Sequence, residues 1–188
     1  MKPKSRSGPR LPRKLDAGEL WGYAVRCLSV RALTGGEVRQ RLARRAANAA
    51  DVEPALARLK DAGFLDDKRF AESFAASRLE NQGLGKQRVL RDLRNRRVAP
   101  GLAETAVTGA YAAADEIALI EQYLARKFRN KNLPQLLQTP AGLASAYRKL
   151  RYAGFSSGNG IRVLKRYSEM ADQLESEEET LENERKNE

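Results

Sequence analysis

Histidine is absent from this 188-residue chain, and cysteine occurs once. No imidazole is therefore available as a general base or a metal ligand, and a lone thiol builds neither a zinc site nor an internal disulfide. Cys27 falls within an apolar helical pattern and is expected to be a buried thiol rather than a reactive one. Aromatics make up only 6% of residues, so the core must come mainly from Leu, Ala and Val. No stretch approaches the ~18 consecutive apolar residues of a membrane-spanning helix, which argues against a membrane partner. The opening MKPKSRSGPRLPRK has no apolar run of the kind a secretory signal needs. A reducing, cytoplasmic location fits these absences.

Catalytic patterns are missing too. Serines and threonines have no His base. The neighbouring carboxylates Asp66 and Asp67 sit at a helix start, where capping explains them. The GLG at 83–85 lacks the Lys-Ser/Thr sequel and the preceding strand of a phosphate loop. No cofactor or metal motif is present, and the expectation is a protein that is not an enzyme.

Positive charge, in contrast, is abundant. The net charge is +11 and the isoelectric point is near 10.0. Residues 1–14 contribute +6 and residues 174–188 contribute −5, leaving +10 on the remainder. The excess is thus a property of the folded part, and it points to nucleic acid or an acidic protein surface as partner. Residues 1–15, with three prolines among cations, read as a disordered basic tail, and 174–188 as an acidic tail able to shield a basic face.

Between the tails the apolar spacing is helical, and no strand-like alternation is sustained. GELWGYAVRCL sets Leu20, Tyr23, Ala24, Cys27 and Leu28 at steps of three and four. RFAESFAASRL and IALIEQYLARKF do the same for Phe70, Phe74 and Leu79, and for Ile117, Ile120 and Leu124. In LTGGEVRQRL, Thr34 precedes Glu37 by three, the spacing of a capping box. In DAGFLDDKRFAESF, Gly63 suits the left-handed residue after a helix, Phe64 can fold back onto the last turn, and Asp66 or Asp67 caps the next helix.

The phrases VRQRL, VLRDL and AYRKL end at Leu42, Leu93 and Leu150. Fourteen residues beyond each lie Leu56, Val107 and Leu164. Nineteen before the first two lie Tyr23 and Phe74. In the third the matching Tyr123 is twenty-seven before, an excess that fits a loop in RNKNLPQLLQ. The reading is an all-α chain, an elongated, curved array of three tandem three-helix repeats over 16–65, 66–112 and 114–170. AGF at 153–155 is out of register with 62–64 and is not counted.

Cations cluster on these helices. In KQRVLRDLRNRR, Val89, Leu90 and Leu93 form the apolar stripe, while Arg88, Arg91 and Arg94 step along the opposite side, flanked by Lys86, Arg96 and Arg97. Residues 78–97 hold seven cations against Glu80 and Asp92, a crowding that a polyanion or carboxylate surface would relieve. Arg148, Lys149 and Arg151 form a second cluster with Arg162, Lys165 and Arg166. Arg126, Lys127, Arg129 and Lys131 form a third, and Arg39, Arg41, Arg44 and Arg45 a thinner fourth. With few aromatics among them, phosphate contact rather than base stacking is the expected mode.

GFLDDKRFA (63–71), NQGLGKQRVLRDL (81–93) and RALTGGEVRQRL (31–42) closely resemble the RecX family of recombination regulators, over about 16–110. RNRRVAP departs from the family pattern, with Arg97-Val98 where a glycine usually ends the helix, and the acidic tail is not part of the core pattern. The resemblance implies three-helix modules. It also implies binding in the groove of the RecA filament on single-stranded DNA, lowering strand exchange, ATPase and co-protease activity within the SOS response. The expected partners are the RecA filament and single-stranded DNA, with duplex DNA a further one, bound by a monomer. Which residues make contact rests on charge alone. The alternatives are an autonomous helix-turn-helix DNA-binding regulator and a structural adaptor whose charge serves solubility.

Overall fold

The computed structural model describes residues 13–172, so most of the expected basic tail and all of the expected acidic tail lie outside the described residues. Among the described residues the chain forms ten α-helices and one 3-10 turn, and its only extended pairing is an isolated bridge between Leu15 and Ala46. By packing it divides into two units. Among the described residues, one holds the chain up to Phe70 together with Arg96–Val98, and the other holds Ala71–Asn95 and the described residues from Ala99 onward.

The first unit contains α1 (Ala17–Val30), α2 (Gly35–Arg45) and α3 (Val52–Asp61), with a 3-10 turn at Ala49–Asp51. Its core gathers Leu20, Ala24, Val38, Leu42, Leu56 and Leu59. Each fully buried Leu contributes on the order of 2–3 kcal/mol relative to exposure. Leu15 joins this core and is bonded on both sides, donating to Arg45 O (2.7 Å) and accepting from Ala47 N (2.8 Å). Cys27 is half-buried rather than buried, because it packs on the margin of the core beside Leu28.

Helix ends follow their chemistry. Thr34 Oγ1 accepts from Glu37 N (3.1 Å) and Glu37 Oε2 accepts from Thr34 N (3.1 Å), completing the expected box. A second box, Asp16 with Glu19, starts α1. Gly63, at φ +74°, ends α3; Gly63 N donates to Lys60 O and Phe64 N to Leu59 O, the two bonds of a Schellman stop. Phe64 packs edge-on against Trp21, 5.8 Å between centroids, and stays half exposed. The two adjacent aspartates divide their work. Asp66 Oδ1 accepts from Arg69 N (2.9 Å) and caps α4 (Asp67–Gln82), while Asp67 Oδ1 accepts from Gly35 N (2.7 Å) at the start of α2.

Arg96 closes the first unit. Its guanidinium donates to both Glu37 oxygens (2.8 and 3.0 Å) and to Ala32 O, and lies 4.8 Å from the Phe70 ring centroid. Arg96 O accepts from Thr34 Oγ1 (2.5 Å). The next residue, Arg97, takes φ +60°, the only non-glycine with positive φ among the described residues. This is the turn at which the sequence departs from the usual glycine. A Cβ on Gly36 would collide with Arg97, so Gly36 leaves room for that turn.

The second unit holds most of α4, then α5 (Lys86–Asn95), α6 (Pro100–Ala110), α7 (Glu116–Lys127), a short α8 (Leu133–Leu137), α9 (Pro140–Ala153) and α10 (Ser157–Lys165). The segment expected as a loop at 129–138 contains α8, because Asn132 caps it and Leu137 is driven into the core. Leu42, Leu93 and Leu150 are all fully buried on α2, α5 and α9, and Leu56, Val107 and Leu164 nearly so on α3, α6 and α10. Ser156, the residue before α10, donates from N (2.9 Å) and Oγ (2.7 Å) to Glu116 of α7, which also accepts from Asn159 Nδ2 (2.5 Å). The Tyr111 hydroxyl donates to Leu84 O (2.6 Å), and burial pushes that phenol up to about 12.

Burial alone would raise the carboxyl groups of Glu37 and Glu116. The donors around each outweigh it: Arg96 and the Thr34 N–H for Glu37, Ser156 and Asn159 for Glu116. Both therefore lie below the usual glutamate range. A depressed folded value stabilises above the unfolded value, about 4.3, and that stability is lost as pH falls through the folded value. Denaturant titrations should show Glu116→Gln less stable than the parent at neutral pH, with the difference closing on acidification below about pH 4. Arg97→Gly, by contrast, should raise stability by about 1 kcal/mol, since glycine adopts left-handed backbone without the Cβ penalty; an unchanged or lower midpoint would show that the Arg97 side chain stabilises the turn by more than its strain.

Candidate binding surface

At the centre of the second unit, the end of α9 meets the start of α5. Gly154, at φ +89°, ends α9 with a second Schellman stop: Gly154 N donates to Arg151 O and Phe155 N to Leu150 O. The remaining carbonyls at this helix end are taken up by α5. Gly85 N donates to Ala153 O (2.9 Å) and Gln87 N to Gly154 O (3.1 Å). The backbones touch so closely that a Cβ on Gly85 would collide with the Gly154 carbonyl, and one on Gly154 with Arg88 N. A carbonyl-rich helix end thus faces an N–H-rich one, and each supplies the groups the other lacks.

Two of the expected arginines complete this junction. Arg88 Nη1 and Arg91 Nη2 both donate to Tyr152 O (3.4 and 3.1 Å). Their guanidinium carbons lie 4.6 and 5.8 Å from the Tyr152 ring centroid. Arg88 also pairs with Asp92 at 3.0 Å, and its side chain is only 25% exposed. Arg88 is therefore built into the unit rather than offered freely to solvent, a correction to the plain solvent-side reading of the three arginines. The cause is the carbonyl end of α9, which no local periodicity reveals.

The other cations are exposed. Lys86 and Arg94 stand on α5, and Arg97 lies just beyond it. On α9, Lys149 donates to Ser145 Oγ (2.8 Å) and Arg151 to Phe155 O (3.2 Å), while Arg148 forms no ion pair among the described residues. On and after α10, Lys165 pairs with Asp172 (2.7 Å) and Arg166 with Glu121; Arg162 forms no ion pair among the described residues. Such exposed pairs are weak and leave the guanidinium groups available to a stronger anion.

Sequence reading missed a groove of about 410 Å³ beside this junction, lined by Gln82, Arg88, Tyr123, Arg126, Lys127 and Tyr152. Arg126 donates to Gln82 O, and Tyr123 is buried beneath Arg126 and Lys127. Tyr152 is 69% exposed. The available signal was Tyr152 itself, an aromatic directly after Arg151 and two residues before a helix-ending glycine. In the first unit, Arg31, Arg41, Arg44 and Arg45 line a separate pocket with Tyr23 and Glu37. Among the described residues no group of three or more His, Cys, Asp or Glu side chains is placed to hold a metal ion, and no helix is long and apolar enough to cross a membrane.

Arg88→Ala should cost about 1–2 kcal/mol in chemical denaturation, having removed a charged hydrogen bond, a carbonyl bond and a ring contact. Arg94→Ala should stay within about 0.5 kcal/mol of the parent. Equal effects would mean that Arg88 does not hold the end of α9.

The pattern that describes the RecX first three-helix domain matches residues 21–59, and that of the RecX second three-helix domain matches 66–107. A regulatory protein RecX from Deinococcus radiodurans is 32% identical over 174 residues, spanning 90% of this chain and 79% of the relative. One from Amycolatopsis mediterranei is 31% identical, spanning 73% and 77%. One from Halorhodospira halophila is 41% identical over 87 residues, which is 46% of this chain and about half (53%) of the relative's length. Among solved structures, RecX from Lactobacillus salivarius superposes with a TM-score of 0.63 at 16% identity, over 80% of this chain and 96% of that one, a likeness of fold. With the helix triplets, the capping residues and these alignments in agreement, the chain belongs to the RecX family of regulatory proteins.

Proposed function

We propose that this chain is a non-catalytic regulator that binds the RecA filament assembled on single-stranded DNA and lowers its recombinase, ATPase and co-protease activities. In this reading it acts in the cytoplasm as a monomer. Membership of the RecX family carries the proposal. The family's activity on RecA, as implied by the resemblance of the sequence motifs, supplies the partner. The helices are read as three repeats: α1–α3, α4–α6, and α7 with α9 and α10, α8 being an insertion. The equivalent burial of Leu42, Leu93 and Leu150 supports that reading.

The cations proposed to meet RecA carboxylates or DNA phosphates are Lys86, Arg91, Arg94 and Arg97, with Arg148, Lys149, Arg151, Arg162, Lys165 and Arg166. Arg88 contributes mainly by holding its neighbours. Arginine suits this task, since its planar fork matches both carboxylate and phosphate and keeps its charge at any physiological pH. Contacts of this kind give weak sequence preference and strong salt dependence.

The test is RecA-dependent ATP hydrolysis on single-stranded DNA with this protein titrated in. Inhibition well below one molecule per RecA subunit is expected, and should be lost in the Arg94→Glu/Arg148→Glu/Arg162→Glu variant while its circular dichroism is unchanged. Inhibition only at amounts that saturate the DNA would replace filament binding with simple competition for DNA. No inhibition at any ratio would remove RecA from the reading.

A further inference from the structure

The groove beside Tyr152 has the makings of a nucleotide subsite. An aromatic residue that is 69% exposed stands out on a surface otherwise dominated by charge, and this one is held in place rather than loose. Its own carbonyl is gripped by Arg88 and Arg91, and its residue lies two positions before the Gly85–Gly154 contact, where backbone meets backbone. Two guanidinium groups lie within 6 Å of the ring centroid, yet most of Tyr152 remains open to a third planar group.

Around the ring the groove offers cations and amides and no carboxylate. Arg126 and Lys127 stand on its α7 side, and Asn81 and Gln82 at the end of α4. The space of about 410 Å³ lies within the usual range of small-ligand sites, roughly 300–1,000 Å³. A stacking platform with cations alongside is how proteins hold unpaired bases and their phosphates. Carboxylates of an acidic protein would satisfy the cations and leave the ring unused.

We propose that this groove binds one nucleotide unit of single-stranded nucleic acid, its base stacked on Tyr152 and its phosphates held by Arg126 and Lys127. This goes beyond the expectation of phosphate contact alone. It rests on the functional reading above only in sharing single-stranded DNA as partner. Duplex DNA keeps its bases inside the stack and is excluded from this mode.

The experiment uses the full chain without RecA. Binding of fluorescein-labelled oligothymidylate and of a duplex of equal length is measured by anisotropy at low salt. Parent, Tyr152→Ala, Tyr152→Leu and Tyr152→Phe proteins are compared, and ultraviolet cross-linking to oligothymidylate is mapped by mass spectrometry. The expected result is a loss of about 5- to 100-fold in single-strand affinity for Tyr152→Ala and Tyr152→Leu. Tyr152→Phe stays within about twofold of the parent, duplex binding is unmoved, and the cross-link falls on the peptide that carries Tyr152. Parent-like single-strand binding by Tyr152→Ala would overturn the proposal. So would an equal loss on duplex, or displacement of the oligonucleotide from the parent but not from Tyr152→Ala by a polyglutamate peptide. The RecA assay on the same proteins separates the two readings. Loss of the stacking effect with inhibition intact sinks only this subsite, whereas absent inhibition with stacking intact sinks only the RecA reading.

Discussion

The end of α9 pressed into the start of α5 governs the second unit. Helix ends are costly to bury, since each leaves backbone groups without intrahelical partners. Here the debt on one side cancels the debt on the other: Ala153 O and Gly154 O accept from Gly85 N and Gln87 N. The approach demands glycine at both 85 and 154, since a single methyl on either would strike backbone. With that contact made, Tyr152 O falls within reach of Arg88 and Arg91, and the exposed Tyr152 ring is fixed over the groove.

The first unit solves a similar problem with charge. Glu37 serves at once as the return half of a capping box and as the partner of Arg96, while Thr34 accepts from its own helix and donates to Arg96 O. Thr34 is buried and Glu37 and Arg96 are largely so, and each is hydrogen-bonded, the condition under which a polar network stiffens a fold rather than weakening it. Asp67 adds a carboxylate at the positive end of α2.

Local chemistry made much of this legible beforehand. Helical spacing, the Thr34–Glu37 box, the Gly63 stop and the capping role of the aspartates can each be read within four residues, because the physics acts over that range. The family could be read because three such motifs occur in order. What stayed hidden depends on distance along the chain. Asp67 reaching Gly35, Arg96 reaching Glu37, and Arg88 reaching Tyr152 span 32, 59 and 64 residues. Periodicity set Arg88 opposite the apolar stripe, but could not show that another helix's carbonyls would arrive there and draw it into the unit. Likewise 129–138 read as a loop because Pro134 and two asparagines dominate it, although Asn132 and Pro134 are also what a short helix needs to begin.

The distribution of aromatic side chains has an optical consequence. The sole tryptophan, Trp21, lies in the first unit, with the Arg58 guanidinium 4.1 Å from its ring centroid, whereas five of the six tyrosines belong to the second. Emission excited at the red edge of indole absorption therefore reports on one unit alone, and phenol absorbance mostly on the other. The chain carries its own two-channel readout, so that melting of either part can be followed separately without any attached dye.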